Sequence, residues 1–379
     1  MKTEWVHKKL GDLGYSYSGL SGKTIDDFGE GKAFIPYMNI FSNGEIDPNK
    51  LEYVRIADNE HQNKVEQGDW FFTTSSETPE EVGMTSVLVD NIGEAYLNSF
   101  CFGFRLYNKQ EFDPKFASYL FRSEELRKKI SLFAQGSTRY NLPKQQMFEK
   151  LFISYPESLT AQRRIAAILA SADKVIASTQ KIIAKYKQIK QGMMEELLKP
   201  KEGWKMVRLG ECCEDVFSGK NTKRQDFGKY IVYGSTGPIG YSEDYEYDFD
   251  AVLVARVGAN AGLVNKVSGL YDVSDNTLII KILKNIDLNY LYYLLIHLNL
   301  NQFIFGSGQP LVTAGLLKKI EIPIPYKNGK PDLTEQRRIA AILSGIDAKI
   351  AAEEKVLEKY EKVKKGLMER LLEGNNMEL

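Results

Sequence analysis

The chain has 379 residues, 43% apolar and 26% charged, with 50 Lys and Arg balanced by 50 Asp and Glu. That length accommodates two or three domains with a core each, and the composition excludes a disordered chain; no run of about 18 apolar residues is available to cross a membrane. Three cysteines without metal spacing (Cys101, Cys212, Cys213) and a charged segment at residues 1–10 predict a cytoplasmic protein, in a reducing compartment and without a signal peptide.

The first variable segment opens on Trp5-x-x-x-x-Leu10-Gly11-Asp12. Strand-like runs follow at Phe34-Ile35-Pro36-Tyr37, Trp70-Phe71-Phe72 and Phe100-Cys101-Phe102-Gly103-Phe104, then a helical stretch at 115–133, a Gly136-Ser137 turn and a short segment ending at Pro156. Next, Ile165, Ile168, Ala172, Val175, Thr179, Ile182, Tyr186, Ile189 and Met193 alternate three and four apart, the heptad seam of a long helix. Thr160 is available as its N-cap, and about 38 residues give a rod of roughly 55–60 Å. After a linker at 200–203, a second segment opens on Trp204-x-x-x-x-Leu209-Gly210-Glu211. Tyr230-Ile231-Val232-Tyr233, Ala251-Val252-Leu253-Val254-Ala255 and Thr277-Leu278-Ile279-Ile280 are strand-like, separated by Gly and Asn clusters. A helical stretch at 289–301, a Gly306-Ser307 turn and Pro323 and Pro325 close it. A second long helix, with Thr334 as available cap, keeps Ile339, Ile342, Ile346, Val356, Tyr360, Val363 and Leu367 but weakens at Lys349 and Glu353.

The two helices repeat each other. Gln162-Arg163-Arg164-Ile165-Ala166-Ala167-Ile168-Leu169 recurs letter for letter from Gln336 to Leu343, and the same offset of 174 carries Asp173 to Asp347, Tyr186 to Tyr360 and Met194-Glu195 to Met368-Glu369. The predicted fold is therefore α+β: two α/β domains (residues 1–159 and 202–333) alternating with two constant helices (160–201 and 334–379). The linker spans at most about 14 Å, which holds the second domain near the far end of the first helix. Antiparallel pairing of the helices as a coiled coil, with a pseudo-two-fold axis and the C-terminus close to Met1, is the arrangement this predicts.

No catalytic machinery is evident. The sequence has no Gly-x-x-x-x-Gly-Lys-Ser/Thr phosphate loop and no Asn/Asp-Pro-Pro-Tyr/Phe motif, and His7, His61 and His297 are scattered without metal spacing. Pro331-Asp332 followed by Glu353-Glu354-Lys355 matches a loose nuclease pattern. Such a site needs its carboxylates on adjacent strands to hold a metal, whereas Glu353 and Lys355 are predicted inside a helix. Gly258 to Gly262 reads as a hairpin rather than a phosphate cradle.

Two variable domains alternating with near-identical helices, each opened by Leu159-Thr160-Ala161-Gln162-Arg163-Arg164-Ile165 or Leu333-Thr334-Glu335-Gln336-Arg337-Arg338-Ile339, resemble the specificity subunit of type I restriction–modification systems. Tyr233-Gly234-Ser235-Thr236-Gly237-Pro238-Ile239-Gly240 is similar to a loop of such domains; the first domain lacks a close copy. The resemblance implies two target-recognition domains, each reading half of a split double-stranded DNA site. It also implies a helical spacer that docks two adenine-N6 methyltransferase subunits. S-adenosylmethionine would bind those partners, motor–nuclease (restriction) subunits would join for cleavage, and the chain itself would hold no catalytic residue, cofactor or metal.

Polar side chains on glycine-rich loops can reach base edges, Lys or Arg to guanine and Asn or Gln to adenine. In the second domain these are Lys220, Asn221, Lys223 and Arg224, then Ser235, Thr236, Arg256 and Asn260; in the first, Ser21, Lys23 and Thr24, then Arg139, Tyr140 and Asn141. Arg163, Arg164, Arg337 and Arg338 stand at helix starts, where positive charge opposes the macrodipole. That placement predicts a partner, or a recognition-domain carboxylate, for them. The neutral total divides into net charges of −5 for residues 1–159, +6 for 160–201, −1 for 202–333 and 0 for 334–379. Recognition domains this short of positive charge predict weak DNA binding by the chain alone, with specificity here and affinity in the complex. The alternatives are a stand-alone tandem DNA-binding adaptor and, less favoured, the metal-dependent nuclease.

Overall fold

Trp70-Phe71-Phe72 is apolar at every position because both faces of its strand are covered. Trp70 and Phe72 enter one core with Leu10, Phe104, Phe121 and Ile153, while Phe71 points to the opposite face, among Ile35, Ile40 and Leu97. In the second domain Val252 and Val254 face one core and Ala251 and Leu253 the other, the same period of two. The computed structural model describes residues 4–303 and 311–373. The chain forms two units: residues 1–178 with 357–379, and residues 179–356.

In the first unit an antiparallel sheet has the order Gly14–Ser18, Cys101–Leu106, Trp70–Thr73, Thr85–Val87. A second sheet joins Glu52–Val54, Phe28–Ile35 and Ala95–Leu97, the last two parallel. Trp5–Lys9 pairs with Phe152–Pro156 and so fastens the start of the domain to the strand before the long helix. The second unit repeats this plan. Its sheet has the order Cys213–Ser218, Thr277–Ile282, Ala251–Ala255, Val264–Val267; its second sheet pairs Tyr230–Gly234 in parallel with Tyr271–Val273; and Trp204–Arg208 pairs with Glu321–Lys327.

The long helices run over Leu159–Leu197 and Leu333–Leu372. Their caps are Ser158 and Asp332, not Thr160 and Thr334. Ser158 Oγ accepts from the Ala161 N–H at 3.5 Å, and Asp332 Oδ1 accepts from Thr334 and Glu335 at 3.0 and 3.2 Å. A side-chain oxygen just outside the first turn is the one placed to reach those orphan donors.

The letter-for-letter repeat is largely a packing motif. Gln162, Ile165, Ala166 and Leu169 are buried in the first unit, and Gln336, Ile339, Ala340 and Leu343 in the second. Gln162 Oε1 accepts the Asp113 N–H at 2.8 Å, and its Nε2 donates to the carbonyls of Pro156 and Glu111 at 2.8 and 3.0 Å. Gln336 accepts the Asp287 N–H at 2.8 Å but reaches Asn285 O only at 3.4 Å. Asp113 and Asp287 in turn cap the helices Pro114–Leu120 and Leu288–His297. Gln162→Ala strands one donor and two carbonyls, so we expect it to destabilise the first unit by about 2–3 kcal/mol. Gln336→Ala should cost the second unit less; urea denaturation followed by tryptophan fluorescence checks the order, and equal losses would refute it.

The seam expected from spacing differs from the one observed. Leu169, Thr179, Ile183, Met194 and Leu197 are buried, whereas Val175, Ile182 and Ile189 remain 40, 43 and 40% exposed. The pairs Ile168-Leu169, Val175-Ile176 and Ile182-Ile183 put apolar groups at both the third and the fourth position of each turn. Periodicity alone is satisfied by either stripe, and packing selects the later one. In the first unit Lys364 Nζ stands 2.5 Å from Asp173 Oδ1, and the Tyr119 hydroxyl donates to Asp173 Oδ2 at 2.7 Å. In the second, Lys190 stands 2.6 Å from Asp347 Oδ1, with Tyr293 donating to Oδ2 at 2.7 Å. Leu371 and Leu372 share the core of Leu10; the expected approach of the C-terminus to Met1 lies outside the described residues, as does the Gly306-Ser307 turn. No helix among the described residues is long and apolar enough to cross a membrane, and all three cysteines are free and buried.

Candidate nucleic-acid interface

The chain leaves the first strand of each main sheet through a glycine that no other residue can replace. A Cβ on Gly219 would stand 2.4 Å from the carbonyl oxygens of Val273 and Ser274, and one on Gly19 would stand 2.1 Å from Asn98 O. This close approach lays the loop after Gly219 against the 273–277 loop. Asn221, Lys223 and Arg224 then line a groove of about 520 Å³ with Ser274 and Asn276.

Within this groove the predicted residues divide their labour. Asn221 bonds Asp272 through Nδ2 and accepts the Lys223 N–H through Oδ1 at 2.8 Å, so its amide holds the loop. Lys223 and Arg224 are exposed. Lys220 is exposed too, but pairs with Glu246 at 2.9 Å. The Ser235 hydroxyl donates to Asn276 O at 3.2 Å, and the Arg256 N–H donates to the same oxygen at 3.0 Å. Arg256 Nη1 donates to Ser218 Oγ at 3.3 Å, which aims the guanidinium while leaving most of its donors unspent. Thr236 is exposed on the neighbouring turn. Asn260 is exposed on the hairpin turn between Ala251–Ala255 and Val264–Val267, where Ala261 N–H donates to Gly258 O.

In the first unit Arg139 Nε and Nη2 donate to Ser75 Oγ at 3.1 and 2.9 Å, and Tyr140–Asn141 pairs with Ser75–Ser76. Arg139 lines a groove of about 670 Å³ with Tyr37, Met38, Phe41, Ser75 and Phe100. Ser21, Lys23 and Thr24 do not line it. Ser21 exchanges two hydrogen bonds with the Gln62 amide. Lys23, only 6% exposed in its side chain, is paired with Glu60 at 2.6 Å, so a base would have to displace that carboxylate to reach it. Thr24 donates through its N–H and hydroxyl to Asp27, and the backbone bond leads the effects that hold that carboxyl below its ordinary pKa.

Tyr37, Met38, Ser75 and Phe100, with Ser218 and Asn276 in the second unit, escape a reading of the sequence alone. Backbone bonds show their equivalence. Ile35 O accepts from Asn98 N–H at 3.1 Å as Tyr233 O accepts from Ser274 at 2.8 Å. Tyr37 and Met38 therefore stand where Ser235 and Thr236 do, and the short helix Tyr37–Ser42 replaces the glycine-rich loop that the first domain lacks. Phe100 O accepts the Thr74 N–H as Asn276 O accepts that of Arg256, so Phe100 occupies the place of Asn276. A usable signal exists in the second repeat: Asp27-Phe28-Gly29 recurs as Asp226-Phe227-Gly228 at the Trp5-to-Trp204 offset of 199.

The helix-start arginines find the carboxylates of their own units. Arg163 approaches Asp113 at 3.4 Å and Arg337 approaches Asp287 at 3.8 Å. Arg338 makes two bonds of 2.7 Å to Glu335 one turn back, whereas Arg164 is exposed with no ion pair among the described residues. The nuclease pattern is not assembled. Asp332 is spent as an N-cap, and Glu353 lies 21 residues on along the same helix, about 30 Å at 1.5 Å per residue.

The sequence matches the type I restriction modification DNA specificity domain twice, over residues 2–188 and 201–362. The chain belongs to the type I restriction–modification specificity subunits. It is 27% identical over 303 residues to the type I restriction enzyme MjaVIII specificity subunit of Methanocaldococcus jannaschii, covering 68% of this chain and 69% of that one. The putative MjaX specificity subunit of the same organism is 25% identical over 98% of this chain and 93% of its own length. The crystal structure of a type I restriction–modification S subunit from M. genitalium shares the fold, with a TM-score of 0.61 at 17% identity over 99% of this chain and 97% of that one. The two target-recognition domains of a specificity subunit thus correspond to the two α/β domains that carry the grooves described above.

Proposed function

We propose that this chain is the non-catalytic subunit that gives a type I complex its DNA sequence specificity. Residues 1–159 and 202–333 each read one half of a split double-stranded site. The helical segments 160–201 and 334–379 pair as an antiparallel coiled coil, space the domains and dock two methyltransferase subunits. Those partners bind S-adenosylmethionine and methylate adenine in the cytoplasm, and restriction subunits join them for cleavage. The observation that carries this reading is that each domain has a groove at an equivalent place, marked by Phe100 in one and Asn276 in the other. The loops around the two grooves differ: Lys223 and Arg224 line the one at Asn276, whose carbonyl also accepts from Arg256, and Arg139 lines the other beside apolar groups and Glu77 and Glu81. The coiled-coil arrangement draws support from the exchanged triads: Lys190 and Lys364 are 174 positions apart, yet each pairs with the aspartate of the other repeat. In the second unit Ile182 and Ile189 are exposed apolar groups, and in the first Arg164 is an exposed charge, each open to a docking subunit.

The test is reconstitution with a type I methyltransferase subunit, followed by mapping of methylated adenines. A split motif whose one half changes when residues 202–333 are exchanged is expected; methylation without a split motif would sink the reading. Arg256→Ala should relax preference at one base of the second half-site by about 1–3 kcal/mol. Lys223→Ala should instead weaken binding to all sequences alike and reduce the salt slope by about one. Competition binding of single-base variants across a salt series distinguishes the two, and identical behaviour would refute the assignment.

A further inference from the structure

Equivalent backbone positions beside the two grooves carry different side chains. In the first, Met38 and Phe100 are 59 and 58% exposed on walls beside Arg139, at the positions of Thr236 and Asn276 in the second. Neither is loosely held. The Phe100 N–H donates to Asn98 Oδ1 at 2.8 Å, and its carbonyl accepts from both the N–H and the hydroxyl of Thr74. The turn bearing Met38 is fixed by the Tyr37 hydroxyl, which donates to Ser75 O at 3.0 Å, and by Arg122, which bonds the carbonyls of Ile40, Phe41 and Asn43. The backbone that bears these two exposed apolar side chains is thus fixed, and both line the groove that holds Arg139.

Resting on the reading of residues 1–159 as a DNA-recognition domain, we infer that Met38 and Phe100 select a thymine in the first half-site by packing on its C5 methyl. The reason is chemical. The thymine methyl is the apolar group that base pairs present in the major groove, and the minor groove presents none. Arg139 sets the register. Its Nε and one Nη2 hydrogen are tied to Ser75, leaving Nη1 for an adjacent guanine edge or phosphate. The second domain has Thr236 and Asn276 in these places, a smaller and more polar pair.

The full chain reconstituted with its methyltransferase tests this by selection from duplexes randomised in the first half-site, prepared with either thymidine or deoxyuridine. The two differ only by the C5 methyl. Wild type should enrich thymidine at one position, with about fourfold weaker selection for deoxyuridine there, as expected for one buried methyl. Met38→Ser and Phe100→Asn should abolish the difference between the pools. Equal enrichment of thymidine and deoxyuridine by the wild-type complex overturns this inference alone and needs no variant to fold. No enriched motif in either pool would overturn the specificity reading itself, and this inference with it.

Discussion

Asp69→Ala is expected to destabilise the first unit by about 3 kcal/mol. Asp69 is fully buried, yet it carries a network. Arg105 Nε and Nη2 donate to its two oxygens at 2.9 and 2.7 Å, the Tyr17 hydroxyl donates at 2.5 Å, and the Glu66 N–H donates at 2.8 Å. Burial first, then the Asp69 charge, pushes the Tyr17 hydroxyl far above its ordinary pKa, so it remains a donor at any physiological pH. Removing the carboxylate strands the Tyr17 hydroxyl and the Glu66 N–H. It also leaves a mostly buried guanidinium with Glu66, at 2.6 Å, as its remaining counter-charge. Asp69→Asn keeps the shape and should cost less. In a Trp204→Phe background, Trp5 and Trp70 confine the fluorescence signal to the first unit, which avoids treating two units as one transition. A loss below about 1 kcal/mol would show the network to be worth little. The double variant Asp69→Ala/Arg105→Met should lose less than the sum of its parts, because the uncompensated charge is gone.

Arg122→Met is expected to lose about 3 kcal/mol and, on the proposed function, to loosen the sequence preference of the first domain. Arg122 has no carboxylate partner among the described residues; it is a hub for backbone carbonyls. Nε donates to Thr85 O at 2.7 Å, Nη2 to Ile40 O and Asn43 O at 2.7 and 2.5 Å, and Nη1 to Phe41 O at 3.1 Å. Burial, and then the neighbouring Arg127 charge, lowers its pKa to about 10, so it stays protonated at neutral pH at a desolvation cost. Methionine fills the volume but leaves those carbonyls unpaired, and the helix Tyr37–Ser42 loses its anchor. The two readouts are urea denaturation and base preference measured at a temperature where the variant is still folded. Loosened preference in the first half-site with the second intact is expected. Unchanged preference would show that this helix holds its place without Arg122. Arg122→Lys, with the charge but not the fork of donors, should recover only part of either property.

Much of this was legible in the residues. An eight-letter identity and an offset of 174 expose two constant helices, and Trp5 and Trp204 mark where two variable domains begin. The Gly and Asn clusters of the second domain indicate loops, and Asn221, Lys223, Arg224, Ser235 and Arg256 do converge around Asn276. The first domain was harder to read. Its groove is built by Tyr37, Met38 and Phe100, which look like core residues in a sequence, while Lys23, which looks like a surface cation, is buried against Glu60. Of the repeated arginines, Arg163 and Arg337 meet recognition-domain carboxylates, Asp113 and Asp287, as their placement at helix starts predicts, and Arg338 meets Glu335.

By itself the sequence determined what depends on local period and composition: long helices free of proline, strands apolar on both faces, and turns at glycine. The tertiary structure decided what depends on a neighbour distant in the chain. A helix with apolar groups at both Val175 and Ile176, or Ile182 and Ile183, accepts two burial faces equally, and only the packed partner chooses between them. A lysine or an asparagine reads DNA or holds a loop according to whether Glu60 or Asp272 stands beside it. A phenylalanine is core or contact surface according to what covers it. Those partners lie tens of residues away, and side-chain type carries no information about them until the fold brings them within hydrogen-bonding or van der Waals distance.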